Sequence, residues 1–77
     1  MQVEVQTYSG YRADERPTGF VLNGRRYQVE EVCDQWLGPE TAYFKVRGND
    51  QNLYILEHDR LADEWRLASF RSQSRRP

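Results

Sequence analysis

His58, Cys33 and three adjacent pairs of acids are the residues of this chain that could do covalent or acid–base chemistry. His58 is the only histidine and Cys33 the only cysteine, so no zinc site of His and Cys ligands can assemble within one chain. The dipeptide His58-Asp59 is one piece of a metal-phosphohydrolase site, but that chemistry needs further His and Asp at other spacings. His58 is therefore read as ending a strand, and Asp59 as starting a turn through its side chain. Cys33 lies inside a strand pattern and is read as a structural, partly buried thiol rather than a nucleophile paired with His58. The acid pairs Asp14/Glu15, Glu30/Glu31 and Asp63/Glu64 do not converge, because neighbours on a strand point to opposite faces. There is no Gly-rich phosphate loop. These residues predict a protein that is not an enzyme and needs no metal or cofactor.

Binding chemistry is better represented. Tyr8, Tyr11, Trp36, Tyr43 and Tyr54 are candidate contact rings, with Arg12, Arg47 and Arg66 as accompanying cations. Aromatic rings and Arg serve both protein interfaces and stacking of single-stranded nucleic acid. The competing role for each ring is core packing, since ten aromatics in 77 residues must supply much of the buried area. The segment Tyr8–Pro17, "YSGYRADERP", carries two of these rings. It is read as a clamp across one end of the fold, and becomes a binding site if Tyr8 and Tyr11 point outward beside Arg12.

Charge narrows the partner. The formal net charge is −1, yet residues 71–77 hold three Arg and no acid, which leaves eight basic and twelve acidic groups in the first 70 residues. An acidic body argues against broad nonspecific binding to a phosphate backbone. The expected partner is another protein. The alternative is single-stranded nucleic acid held by exposed rings and the basic tail. A single cysteine excludes an intramolecular disulfide and fits the cytoplasm. The first ten residues lack a basic start and an apolar run, and no run approaches the length of a membrane span.

The elements that must position these residues read as strands. "QVEVQT" alternates. "FVLNGRRYQV" sets Asn23-Gly24 between apolar runs, the preferred signal of a type I′ hairpin. With that tip, Leu22 faces Arg25 and Phe20 faces Tyr27. Tyr27 and Val29 have one parity and Val32 and Trp36 the other, which predicts a bulge near Glu30-Glu31. "AYFKVR" sets Ala42, Phe44 and Val46 against Tyr43, Lys45 and Arg47. Four consecutive apolar residues, Leu53 to Leu56, predict a central strand covered on both faces. "DRLADEWRLASF" fits either a short helix capped by Asp59 or a loop and a strand, and the strand is favoured. The expected fold is all-β, with strands over 2–8, 19–23, 25–35, 42–47, 52–58 and 64–70. Short connections imply an antiparallel meander of about six strands, an SH3-like barrel or a strongly bent open sheet. Residues 1–70 form the single domain, and 71–77 a disordered basic tail.

The spacing Tyr8, Gly10, Tyr11, Glu15 and Pro17, then Phe20 and Leu22, then Val29, Glu31, Val32, Asp34 and Trp36, then Tyr43, Phe44 and Val46, then Tyr54, Leu56, His58 and Asp59 resembles a family of small uncharacterised bacterial all-β domains. The likeness covers about residues 6–67. It implies a cytoplasmic bacterial protein and supports a strand over 64–70. Some similar domains accompany proteins resembling Y-family DNA polymerases, which implies a DNA-repair context without naming a catalytic residue.

Overall fold

The computed structural model describes residues 3–8 and 16–72, Tyr8 by its backbone alone. Six strands run in chain order: β1 (Glu4–Tyr8), β2 (Arg16–Leu22), β3 (Arg25–Leu37), β4 (Thr41–Gly48), β5 (Leu53–Asp59) and β6 (Glu64–Arg71). Each pairs antiparallel with the next, in the order β1-β2-β3-β4-β5-β6. Among the described residues there is no helix, so none is long and apolar enough to cross a membrane.

The β2–β3 hairpin forms as its turn residues dictate. Asn23 and Gly24 have φ of 54° and 76°, the pair of positive values that a type I′ turn requires. Leu22 then pairs with Arg25 and Phe20 with Tyr27, and the Phe20 and Tyr27 rings stack with centroids 5.1 Å apart. At the other end of the chain, residues 60–63 form a turn and 64–71 a strand. The Asp59 carboxylate accepts the N–H groups of Leu61 and Ala62, and Asp63 at φ 54° turns the chain into β6. Asp59 thus starts a turn rather than capping a helix.

The curl of the sheet comes from β3. Its residues 25–28 pair with β2, and its residues 29–37 pair with β4. Between Val29 and Glu31 the register shifts, leaving Glu30 as the inserted residue, where the parity conflict places a bulge. A second shift, between Val32 and Asp34, inserts Cys33. Each insertion bends the strand and adds twist, so one long strand belongs to two ladders set at an angle. Two further shifts, which insert Thr18 of β2 opposite Gln6-Thr7 and Ala68 of β6 opposite Ile55-Leu56, add to the bend. The result is a strongly curled, open half-barrel rather than a closed SH3-like barrel. The two ends of the sheet meet where the Val3 N–H donates to the Trp65 carbonyl at 3.3 Å.

The core fills the concave side. Val3, Phe20, Ala42, Phe44, Val46, Tyr54, Leu56 and Trp65 are buried, with Val5, Leu22, Tyr27, Val29, Val32 and Leu67 packed against them. Strict alternation in β4 and β5 puts Ala42, Phe44, Val46, Tyr54 and Leu56 on this side. Tyr54 is the hub of the aromatic packing: its ring lies 4.8 Å from Phe20, 5.6 Å from Tyr27 and 5.1 Å from Phe70. Such pairs contribute about 0.5–1.5 kcal/mol each beyond area burial. The second bulge corrects one expectation. With a single insertion Trp36 would share the inner face of Val32. The insertion of Cys33 reverses the parity again, so Gln35 is the half-buried residue and Trp36 is 47% exposed.

Candidate functional site

Among the described residues the potentially reactive groups are dispersed; Asp14 and Glu15 lie outside the described residues. The His58 ring stacks on Trp65 with centroids 4.2 Å apart, and its Nε2 lies 3.0 Å from Asp63 Oδ1. Glu31 holds Arg47, with Oε1 accepting from Nη1 at 2.6 Å, whereas neighbouring Glu30 accepts from the Gln51 amide at 3.3 Å. Glu64 lies 3.7 Å from Arg66. Both of these acid pairs are split between different partners: Glu30 is the inserted residue of a bulge beside Glu31, and Asp63 lies in the turn that precedes Glu64. Cys33 is exposed, not partly buried as its sequence setting suggested, because the extra residue of a bulge has no place in the ladder. Among the described residues no three His, Cys, Asp or Glu side chains are grouped to hold a metal ion.

Tyr54 belongs to the core, which removes it from the contact rings the sequence proposed. Its Oη donates to Asp50 Oδ2 at 2.5 Å. Burial, reinforced by this hydrogen bond to a carboxylate, raises the Tyr54 pKa well above the ordinary tyrosine value. The same Asp50 shapes the β4–β5 turn, accepting the Asn52 backbone N–H at 3.2 Å and its side-chain amide at 3.0 Å. The Tyr8 side chain, Tyr11 and Arg12 lie outside the described residues, as does the question of which way the two tyrosines point.

The other four candidates, Trp36, Tyr43, Arg47 and Arg66, share one face of the sheet. Trp36 pairs with Tyr43 across β3 and β4, and both rings are exposed on the outer face of the sheet. Arg47 lies on the same face of β4, two positions of alternation along. Register carries the face across four strands. One row runs Trp36, Tyr43, Glu57, Arg66; the next Asp34, Lys45, Ile55, Ser69; the third Glu31, Arg47, Leu53, Arg71. Arg47 is pinned to Glu31, and Arg66 lies 3.8 Å from Glu57. The face therefore alternates charge, with two exposed aromatics at one end and two half-buried aliphatics, Leu53 and Ile55, in the middle strand.

Lys45, Leu53, Ile55, Ser69 and Arg71 were not among the candidates drawn from the sequence. The signal for them was the apolar run 53–56, whose alternate members must face outward if Tyr54 and Leu56 face inward. Joining them to Lys45 and Arg71 requires the register of three strands. Arg71 closes β6 rather than opening the expected tail. The chain has no match among protein-family models, curated proteins or solved structures.

Proposed function

We propose that the chain is a non-enzymatic module that binds another protein through the outer face of β3–β6. The observation that carries this reading is the exposed Trp36–Tyr43 pair on a face of alternating charge. A cross-strand aromatic pair stabilises its own sheet by only about 0.2–1 kcal/mol. Buried against a partner, Trp, Tyr and Arg are the residues that most often contribute 2 kcal/mol or more. Intramolecular stability is thus the smaller use of two large exposed rings. The resemblance to bacterial all-β domains supports a cytoplasmic setting.

Single-stranded nucleic acid is the second reading, favoured by rings that could stack bases and by Lys45 and Arg71 on the same face. Against it, Glu31, Asp34 and Glu57 interrupt any continuous cationic track on this face, and a phosphate chain needs one.

The test is capture from a nuclease-treated lysate by the wild type and by the double variant Trp36→Ser/Tyr43→Ser. The variant is expected to lose the captured protein while its unfolding free energy falls by no more than about 1 kcal/mol. Equal capture by both refutes the assignment of the face. Binding of an oligothymidylate that weakens steeply with salt replaces it with the nucleic-acid reading.

A further inference from the structure

The outer face contains a depression of about 140 Å³ lined by Lys45, Leu53, Ile55, Ser69 and Arg71. Its construction follows from register. On β5, Leu53 and Ile55 form an apolar floor. On β4, Lys45 stands opposite Ile55; on β6, Ser69 stands opposite Ile55 and Arg71 opposite Leu53. The two flanking strands are two ladder spacings apart, about 10 Å, so the long side chains of Lys45 and Arg71 can converge over the floor.

Charge singles out this spot. Arg47 is neutralised by Glu31, and Arg66 lies near Glu57 and Glu64. Lys45 and Arg71 make no ion pair with any described residue, although Asp34 pairs in register with Lys45. The two unneutralised cations of the face are therefore the two that edge its depression. Lys45 is also the only lysine of the chain.

We infer that this depression receives a carboxylate on a short aliphatic stem, a glutamate side chain presented by an extended segment of the protein partner. The inference rests on the proposed protein-binding role of this face and names what the partner places there. The methylenes lie on Leu53 and Ile55, which gives apolar burial that a free inorganic anion lacks. The carboxylate meets the Lys45 ammonium and the Arg71 guanidinium, with the Ser69 hydroxyl as a further donor. The depression is large enough to take a carboxylate with its two methylenes. The acids Glu31, Asp34 and Glu57 in the neighbouring positions favour a single discrete anion over a polyphosphate chain.

The experiment is an amide chemical-shift titration of the wild-type protein with the peptide acetyl-Gly-Val-Glu-Val-Gly-amide, with the same peptide carrying Gln for Glu, and with octathymidylate. Saturable shifts at residues 45, 53, 55, 69 and 71 are expected from the Glu peptide, with the Gln peptide at least tenfold weaker. Lys45→Met and Arg71→Met each weaken the Glu peptide about tenfold, and Lys45→Arg restores it. No saturable shift up to about 20 mM, equal shifts from the Gln peptide, or tighter binding of octathymidylate to the same amides overturns the inference. The wild-type comparison of the Glu and Gln peptides decides the matter even if a variant fails to fold. Lysate capture separates the two levels. If capture depends on Trp36 and Tyr43 but survives Lys45→Met/Arg71→Met unchanged, the carboxylate site falls and the protein-binding face stands.

Discussion

Replacing Tyr54 by Phe removes one oxygen atom and leaves the ring contacts with Phe20, Tyr27 and Phe70 in place. The substitution therefore isolates the hydrogen bond from Tyr54 Oη to Asp50 Oδ2 at 2.5 Å. Hydrogen bonds to charged groups contribute about 1.5–3 kcal/mol net. Asp50 is exposed, so its freed oxygen regains water and the loss falls in the lower part of that range, about 1.5–2 kcal/mol. For a domain of this size each kcal/mol shifts the thermal midpoint by about 4–8 °C, which gives a drop of about 6–16 °C. Asp50→Asn is expected to cost at least as much, because it also weakens the turn bonds to Asn52. Combined with Tyr54→Phe in a double-mutant cycle, it should show coupling of about 1 kcal/mol or more. The pH dependence gives an independent handle. Tyr54 ionises with greater difficulty folded than unfolded. Its contribution is fully present below the unfolded value near 10 and is lost as pH rises beyond it. Urea unfolding at neutral pH and across about pH 9–11 measures both effects. A loss below about 0.5 kcal/mol, or the same alkaline slope in wild type and Tyr54→Phe, would refute the reasoning.

Gly48→Ala places a Cβ 2.8 Å from Asp50 Oδ1 and 3.2 Å from Tyr54 Cε1; the crowding is expected to cost about 1–3 kcal/mol, read as a lower urea midpoint with an unchanged slope. Phe20→Ala empties a fully buried site and should cost about 3–5 kcal/mol, from a total of about 4–12 kcal/mol for 77 residues; loss of cooperative unfolding or a large midpoint drop in circular dichroism checks it. Cys33 is exposed, so the native protein should react with a chromogenic disulfide reagent about as fast as it does in denaturant. A protected thiol in the native state would contradict the bulge that places it outside.

Much of the fold was legible because its signals are local. Asn23-Gly24 needs no distant partner to favour its turn. The alternation of Ala42, Phe44 and Val46 against Tyr43, Lys45 and Arg47 declares which residues share a face before that face has an occupant. The conflict in parity between Val29 and Val32 even marked the first bulge. The second bulge was not legible, because Cys33 has nothing in its own chemistry that forces an insertion. It follows from how the Val32–Val46 pairing must be reconciled with the Asp34–Lys45 and Trp36–Tyr43 pairings.

That single insertion decided much of the candidate site. Without it Trp36 would turn inward with Val32; with it, Trp36 stands beside Tyr43 on the outer face. Tyr54 needed no insertion: the plain alternation of β5 turns it into the core, where Phe20, Tyr27 and Phe70 surround it. Residue types and period-two spacing determined that this chain makes six antiparallel strands, which residues alternate within each, and that no metal-ligating pattern of His and Cys is written into it. Cross-strand register belongs to pairs of segments and to the packing that rewards one alignment over another. Only the folded sheet therefore brought Lys45, Leu53, Ile55, Ser69 and Arg71, spread over 27 residues of sequence, around one depression.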